Sequence, residues 1–348
     1  MPQTTPHILK SDRRAPNYRL RFIILIVLAI LCVFFSLGVG RYFISPFDVI
    51  TNLFNPMMPI DDIEAYRQWS AIFNIRIPRI LAAFLVGAAL ATAGASYQGM
   101  FQNPLVSPDI LGASAGAGLG AAFAILNNMS SVMITVFAFC GAMIAVALAY
   151  LVSRLAKGNA TLSLVLGGIL VGSLFTAGTS YIKLVADTED QLPEITYWLM
   201  GGFGGIEYSD VIFAVIGIAI GIVPLILVRW RMNVLTLGDD EARSIGVNTR
   251  LLRLVAIFCA TLITAVAVSI SGIIGWIGLV IPHFCRMIFG YDYRRIIPAA
   301  IIFGGAFLVL VDDFARTLAA SEIAIGILTA FIGAPIFAYL LISGGKRS

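Results

Sequence analysis

Residues 237–253 read LGDDEARSIGVNTRLLR, and six of those seventeen side chains are formally charged: Asp239, Asp240, Glu241, Arg243, Arg250 and Arg253. The chain as a whole is 59% hydrophobic and only 12% charged. Charge this dense in so apolar a chain needs a task, and catalysis fits poorly. The sequence holds no G-x-x-x-x-G-K-[ST] phosphate loop, no H-E-x-x-H metal helix and no G-x-S-x-G nucleophile turn. His7 lies in the N-terminal tail and His283 stands alone in GLVIPHFCR. A lone histidine at such a place is more often a structural residue than a ligand. Cys32, Cys140, Cys259 and Cys285 lack metal-ligand spacing and read as packing residues. The residues therefore point to no catalytic group, no metal site and no cofactor held by this chain.

The elements that must position the charged island are membrane helices. Mean hydropathy is +0.94, more than a soluble core can hide. Ten long, nearly uncharged runs occur at about 22–40, 78–98, 110–126, 132–152, 162–182, 211–228, 251–270, 272–288, 296–316 and 324–342. A run of that length crosses about 30 Å of hydrocarbon as a helix. The short alternating segments of a β-barrel are missing. The first run is too long for a signal peptide and no clear cleavage site closes it, so it is expected to be retained. The fold class is all-α: a polytopic membrane protein with ten transmembrane helices.

Orientation follows from Lys and Arg. With the N-terminus in the cytoplasm, 17 of the 23 basic residues fall inside; Arg41, Arg67, Arg76, Arg79, Lys183 and Arg316 fall outside. Both termini are then cytoplasmic, and the island lies inside, between spans six and seven. The net charge of +4 follows from this topology and calls for no nucleic-acid partner. The organisation expected is a cytoplasmic tail over 1–21, one transmembrane domain over 22–343 with a coupling loop at 229–250, and a short tail over 344–348.

RIPRILAAFLVGAALATAGASYQ (76–98) can be laid over RLLRLVAIFCATLITAVAVSISG (250–272) at an offset of 174. Both open on R-x-x-R, and Ala82, Phe84, Ala91 and Ala93 meet their own kind. Span two starts outside and span seven inside, so the copies, over about 76–182 and 250–342, are inverted. Inverted repeats suit a transporter, because two halves related by an in-plane axis can open to either side. In FQNPLVSPDILG (101–112), Pro104 and Pro108 must break the helix between spans two and three, and Asp109 is placed to cap span three. Carboxylates are almost absent from the spans; Asp312 and Asp313 lie near the outer end of span nine. Proton- and ion-coupled carriers place ionisable groups near the midplane. A carrier with neither such groups nor an ATP site draws its energy from a partner, and the island could be where that partner docks.

These stretches resemble the FecCD/BtuC-like permease subunits of type II ABC importers, which take up iron–siderophore complexes, haem and cobalamin. The resemblance covers about residues 20–343 and rests on 76–117, TLGDDEARSIGVNTRLLR (236–253), 271–298 and 312–341. It implies the type II importer permease fold in the inner membrane. It also implies a homodimer, two cytoplasmic ATP-binding subunits that use ATP and Mg, and a periplasmic substrate-binding protein. The chain itself would not be an enzyme. Leu237, Gly238, Glu241, Ala242 and Gly246 match the loop that contacts the ATPase, with Gly246 allowing its turn; a loop charged only for topology is the plainer alternative. Arg76, Arg79 and Arg316 match the arginines that meet binding-protein glutamates, with interfacial snorkelling the alternative. Asn103 and Leu105 match an inner gate. Thr161 and Ser163 fall near a second gate, and spans five and ten would line the pathway at the dimer axis. The expected activity is alternating-access import of an iron–siderophore or similar chelate. Haem, cobalamin or a molybdate-type oxyanion remain alternatives, as does a solitary secondary transporter.

Overall fold

The computed structural model describes residues 17–56, 59, 62–156, 160–236, 242, 244 and 246–344, and every regular element among them is helical. In chain order these are α1 (Tyr18–Gly38), α2 (Pro46–Phe54), α3 (Ile63–Ser70), α4 (Ile77–Met100), α5 (Ala113–Leu126), α6 (Ser131–Leu155) and α7 (Ala160–Val185). The chain continues through α8 (Gln191–Met200), α9 (Tyr208–Leu235), α10 (Thr249–Ser271), α11 (Ile277–Phe289), α12 (Tyr293–Thr317) and α13 (Ile325–Gly344). Ten of them coincide with the ten expected spans. Three helices were not anticipated. α2 begins on a Ser45 cap with Pro46 in its first turn. α3 runs through a π-helical turn, Ala71–Arg76, straight into α4. α8 is only 10 residues long, too short to show as a hydropathy run.

The inverted repeat is visible as a matched order of lengths. α4, α5, α6 and α7 run 24, 14, 25 and 26 residues; α10, α11, α12 and α13 run 23, 13, 25 and 20. In each half a broken segment precedes the short second helix. Residues 101–112 break at the two prolines, as expected. The second break, 272–276, corrects the expectation of a helix from 272. Gly272 leaves helical geometry at φ +65, ψ −163, and Trp276 sits at φ +70 at the head of α11. The backbone groups freed by such breaks must be satisfied by protein or by a wet cavity. Gln98 does part of this, its side-chain amide donating to Val106 O at 3.2 Å and to Gly278 O at 3.3 Å.

α4 is the buried axis. Its whole C-terminal half, from Val86 to Met100, is hidden by α9, α10, α11 and α12. Small residues make this possible. A Cβ on Gly94 would lie 1.8 Å from Gly278 O on α11, so that crossing exists only with glycine. α7 packs on α5 and α6 with one face. Its other face leaves Leu166, Leu170 and Leu174 exposed.

Candidate functional site: a groove with a charged corner at each end

The groove lies between the head of α5 and the length of α7. It encloses about 600 Å³ and is lined by Asp109, Gly112, Gly168, Gly172, Ser173, Thr176 and Ser180 among others. Ser173, Thr176 and Ser180 each donate to the carbonyl four residues earlier, at 2.8–3.0 Å. The hydroxyls therefore present self-satisfied, weakly polar surface. Among the described residues Asp109 is the one charged side chain on this wall, and it is not the helix cap the sequence suggests. Ser107 accepts from Asp109 N at 3.2 Å, while the Asp109 carboxylate accepts from Ser114 Oγ. The cap position of α5 belongs to Gly112, which takes a left-handed conformation at φ +82, a geometry that favours glycine. Nothing in this groove resembles a reaction centre. Among the described residues no group of three His, Cys, Asp or Glu could hold a metal ion.

At one end of the bundle the start of α4 meets the end of α12. Arg76, Arg79 and Arg316 gather there, each less than a tenth exposed. Arg79 Nε donates to both Asp312 oxygens at 3.0 Å, and its two terminal nitrogens reach Glu322 at 2.9 and 3.1 Å. Arg316 pairs with Asp312 at 3.2 Å, contacts Asp313, and donates to Ser36 Oγ at 2.9 Å. Arg76 donates to the carbonyls of Leu37 and Tyr42. Arg79 and Arg316 thus meet three carboxylates of the same chain, while Arg76 meets backbone carbonyls. The resemblance implies that these arginines face a partner's glutamates; within this chain Arg79 and Arg316 already pair with Asp312, Asp313 and Glu322. Glu322 is the outermost of the three acids. Burial alone would raise its pKa, but the hydrogen bonds and charge of Arg79 outweigh burial and hold it below the ordinary glutamate value.

At the other end lie the expected gates. Asn103 and Leu105 sit exposed in the turn after α4, where Asn103 Oδ1 accepts from Leu105 N at 2.9 Å. Gln102 fastens the turn to the end of α9 by donating to Leu235 O at 2.6 Å. The sequence reading passed over Gln98 and Gln102; amides beside two prolines in a break were the available signal. Thr161 is held by Arg253 Nη1 at 3.1 Å, and Ser163 is half-buried one turn into α7. In the loop expected to couple to the ATPase, Ala242 is buried and Gly246 is exposed at φ +81, in a left-handed turn. Leu237, Gly238 and Glu241 lie outside the described residues.

The match to known proteins now decides the class. A model of the FecCD transport family matches residues 27–343. The chain belongs to that family. It is 42% identical over 270 residues to an iron chelatin transport permease of Helicobacter pylori, covering 78% of this chain and 82% of that one. It is 37% identical over 317 residues to the molybdate import permease MolB of Haemophilus influenzae, covering 91% and 94%. A solved structure, described as a metal-chelate type ABC transporter in an inward-facing conformation, superposes with a TM-score of 0.84 at 36% identity over 94% of this chain. Members of the FecCD family are multi-pass permease subunits of ABC importers, and hydrolysis of ATP falls to a separate subunit. The long apolar helices fit that membrane setting.

Proposed function

We propose that this FecCD permease moves an iron–siderophore or similar metal chelate from a periplasmic binding protein into the cytoplasm by alternating access. One observation carries the reading. Among the described residues the α5–α7 groove is glycine- and hydroxyl-lined, with a single carboxylate and no group of three His, Cys, Asp or Glu able to hold a metal ion. Such a wall would let a large, already coordinated metal complex pass without stripping its metal. Two copies facing each other across α7 would close the groove into a central pathway and cover its exposed leucines. Both termini are cytoplasmic in this reading, as the Lys and Arg bias favours. The loop around Ala242 and Gly246 then meets the ATPase, and ATP binding must favour one permease state for the gates at Asn103, Leu105, Thr161 and Ser163 to move. The binding protein docks over the Arg79–Glu322 corner, and its carboxylates must displace Glu322 to reach Arg79.

Molybdate-type oxyanion is the second reading, because the molybdate relative aligns over more of the chain than the iron chelatin relative does. The test is ATP-driven uptake in proteoliposomes holding the permease, its ATPase and its binding protein. Accumulation of iron-55 delivered as a siderophore complex, with molybdate-99 excluded, is the expected result. Uptake of molybdate, haem or cobalamin in its place would move the assignment to that cargo. Uptake that persists without the ATPase would instead mark a solitary carrier.

A further inference from the structure

The repeat sets up a second charged corner opposite the first. Aligning the two 25-residue helices α6 (131–155) and α12 (293–317) end to end places Arg154 on Arg316, Tyr150 on Asp312 and Leu151 on Asp313. The start of α10 carries Arg250 and Arg253 where the start of α4 carries Arg76 and Arg79. Both corners therefore hold three arginines at the meeting of two equivalent helices. The corner at α4 and α12 contains its own aspartates. The corner at α10 and α6 has tyrosine and leucine in their places.

The three arginines of that second corner surround a cavity of about 380 Å³. Ser153, Thr161 and Thr249 add hydroxyls to its polar end, and Met100, Phe101, Leu164, Leu254 and Ile257 form its apolar wall. Among the described residues that line it there is no carboxylate. Neither Arg154 nor Arg250 makes an ion pair or side-chain hydrogen bond among the described residues. Arg253 donates to Thr161 and keeps its place on the wall. The N-terminus of α10, a helix of 23 residues, adds its positive end at Thr249. Guanidiniums, hydroxyls and a helix N-terminus together match a phosphate. Leu254 and Phe258 are exposed along the next turns of α10, and Tyr150 and Leu151 beside them on α6, so apolar surface continues from the cavity onto the outside of the bundle.

We propose that Arg154, Arg250 and Arg253 form a binding site for a phosphate-bearing anion, supplied in the membrane by the headgroup of an acidic phospholipid. The bound anion would give Arg154 and Arg250 a counter-charge, as Asp312 and Asp313 do for Arg316. Its acyl chains lie along Leu254 and Phe258, as expected where a basic pocket opens at a membrane face.

The test uses the full-length chain in mild detergent, with thermal unfolding and native mass spectrometry read in parallel. Added phosphatidylglycerol should raise the melting temperature by about 3 °C or more at saturation and remain bound in the gas phase, while phosphatidylcholine should not. The double variant Arg154→Gln/Arg250→Gln should lose most of that rise. Arg154→Lys/Arg250→Lys, which keeps the charge but loses the paired donors, should fall between. Arg19→Gln, an exposed arginine on α1, should keep the full rise. If inorganic phosphate matches phosphatidylglycerol, the site stands and its occupant is a soluble phosphate. Equal stabilisation by both lipids, or an equal loss in Arg19→Gln, would overturn the site in favour of general charge attraction. Loss of ATPase co-purification in the double variant with lipid preference intact would overturn it too, since the arginines would then be waiting for an acidic side chain of that subunit.

Discussion

The two R-x-x-R corners start from the same residues and are completed by different opposing helices. Arg79 and Arg316 are nearly inaccessible and share Asp312, with Asp313 and Glu322 completing the balance. Arg154 and Arg250 are exposed and line a cavity that has no carboxylate among its described residues. The difference lies in two positions near the end of the helix that packs against each motif: Asp312 and Asp313 on α12, Tyr150 and Leu151 on α6. An arginine motif thus carries little meaning until the opposing helix is known. Buried charge demands a partner; charge at a membrane rim can leave that partner outside the protein.

The largest effect should come from removing the shared acid. Asp312→Ala leaves Arg79 and Arg316 buried without their common carboxylate, and should cost about 3–5 kcal/mol. Detergent-solubilised yield and thermal unfolding would report it. Tyr150→Phe, at the matching place in the other corner, should change stability by no more than about 0.5 kcal/mol. Comparable losses at both positions would break the contrast. Next comes function without unfolding. A side chain on Gly246 meets open space, though its φ of +81 strains any L residue. Gly246→Arg should leave a folded permease whose uptake is lost while the partner ATPase still hydrolyses ATP. Undiminished uptake would remove this loop from the coupling path.

Tyr150→Asp sharpens the comparison by installing the acid of the α4–α12 corner in the α6–α10 corner. A carboxylate four residues before Arg154 and facing Arg250 should stabilise the chain in lipid-free detergent by about 0.3–1 kcal/mol. The same change should blunt the response to phosphatidylglycerol. The smallest effect should be at Glu322, half in water. Its depressed pKa means the Arg79 pairing is complete above the ordinary glutamate value of about 4.3 and is lost as pH falls through the lower folded value. Wild type should therefore unfold at a slightly higher temperature than Glu322→Gln at pH 7, and the gap should close as the pH falls from about 4.3 through the lower folded value. A gap independent of pH would mean Glu322 acts by packing alone.

Much of the fold was legible because membrane helices announce themselves by composition. Ten runs were long and apolar enough to name, and Pro104 and Pro108 marked the first break. The second break was hidden because SGIIGW (271–276) is as apolar as the helices on either side, and only backbone geometry at Gly272 and Trp276 separates it from them. The partners of Arg79 were hidden for a different reason. Asp312 lies 233 residues away and Glu322 lies 243 away, and such pairs are decided by tertiary packing. The match of Arg154 to Arg316 escaped the repeat alignment because it needs an offset of 162, whereas the R-x-x-R pairs need 174. Gate and coupling residues came from family resemblance, and Gly246 alone among them also had a backbone reason.

The most direct test of the central claim, ATP-driven import with the energy supplied by a partner, is purification of this chain from native membranes in mild detergent with mass spectrometry of what accompanies it. The expected result is a phosphate-loop ATPase at equal copy number, retained through size exclusion and lost in Gly246→Arg. A preparation that remains free of any ATPase after crosslinking, yet still transports cargo, would contradict the account.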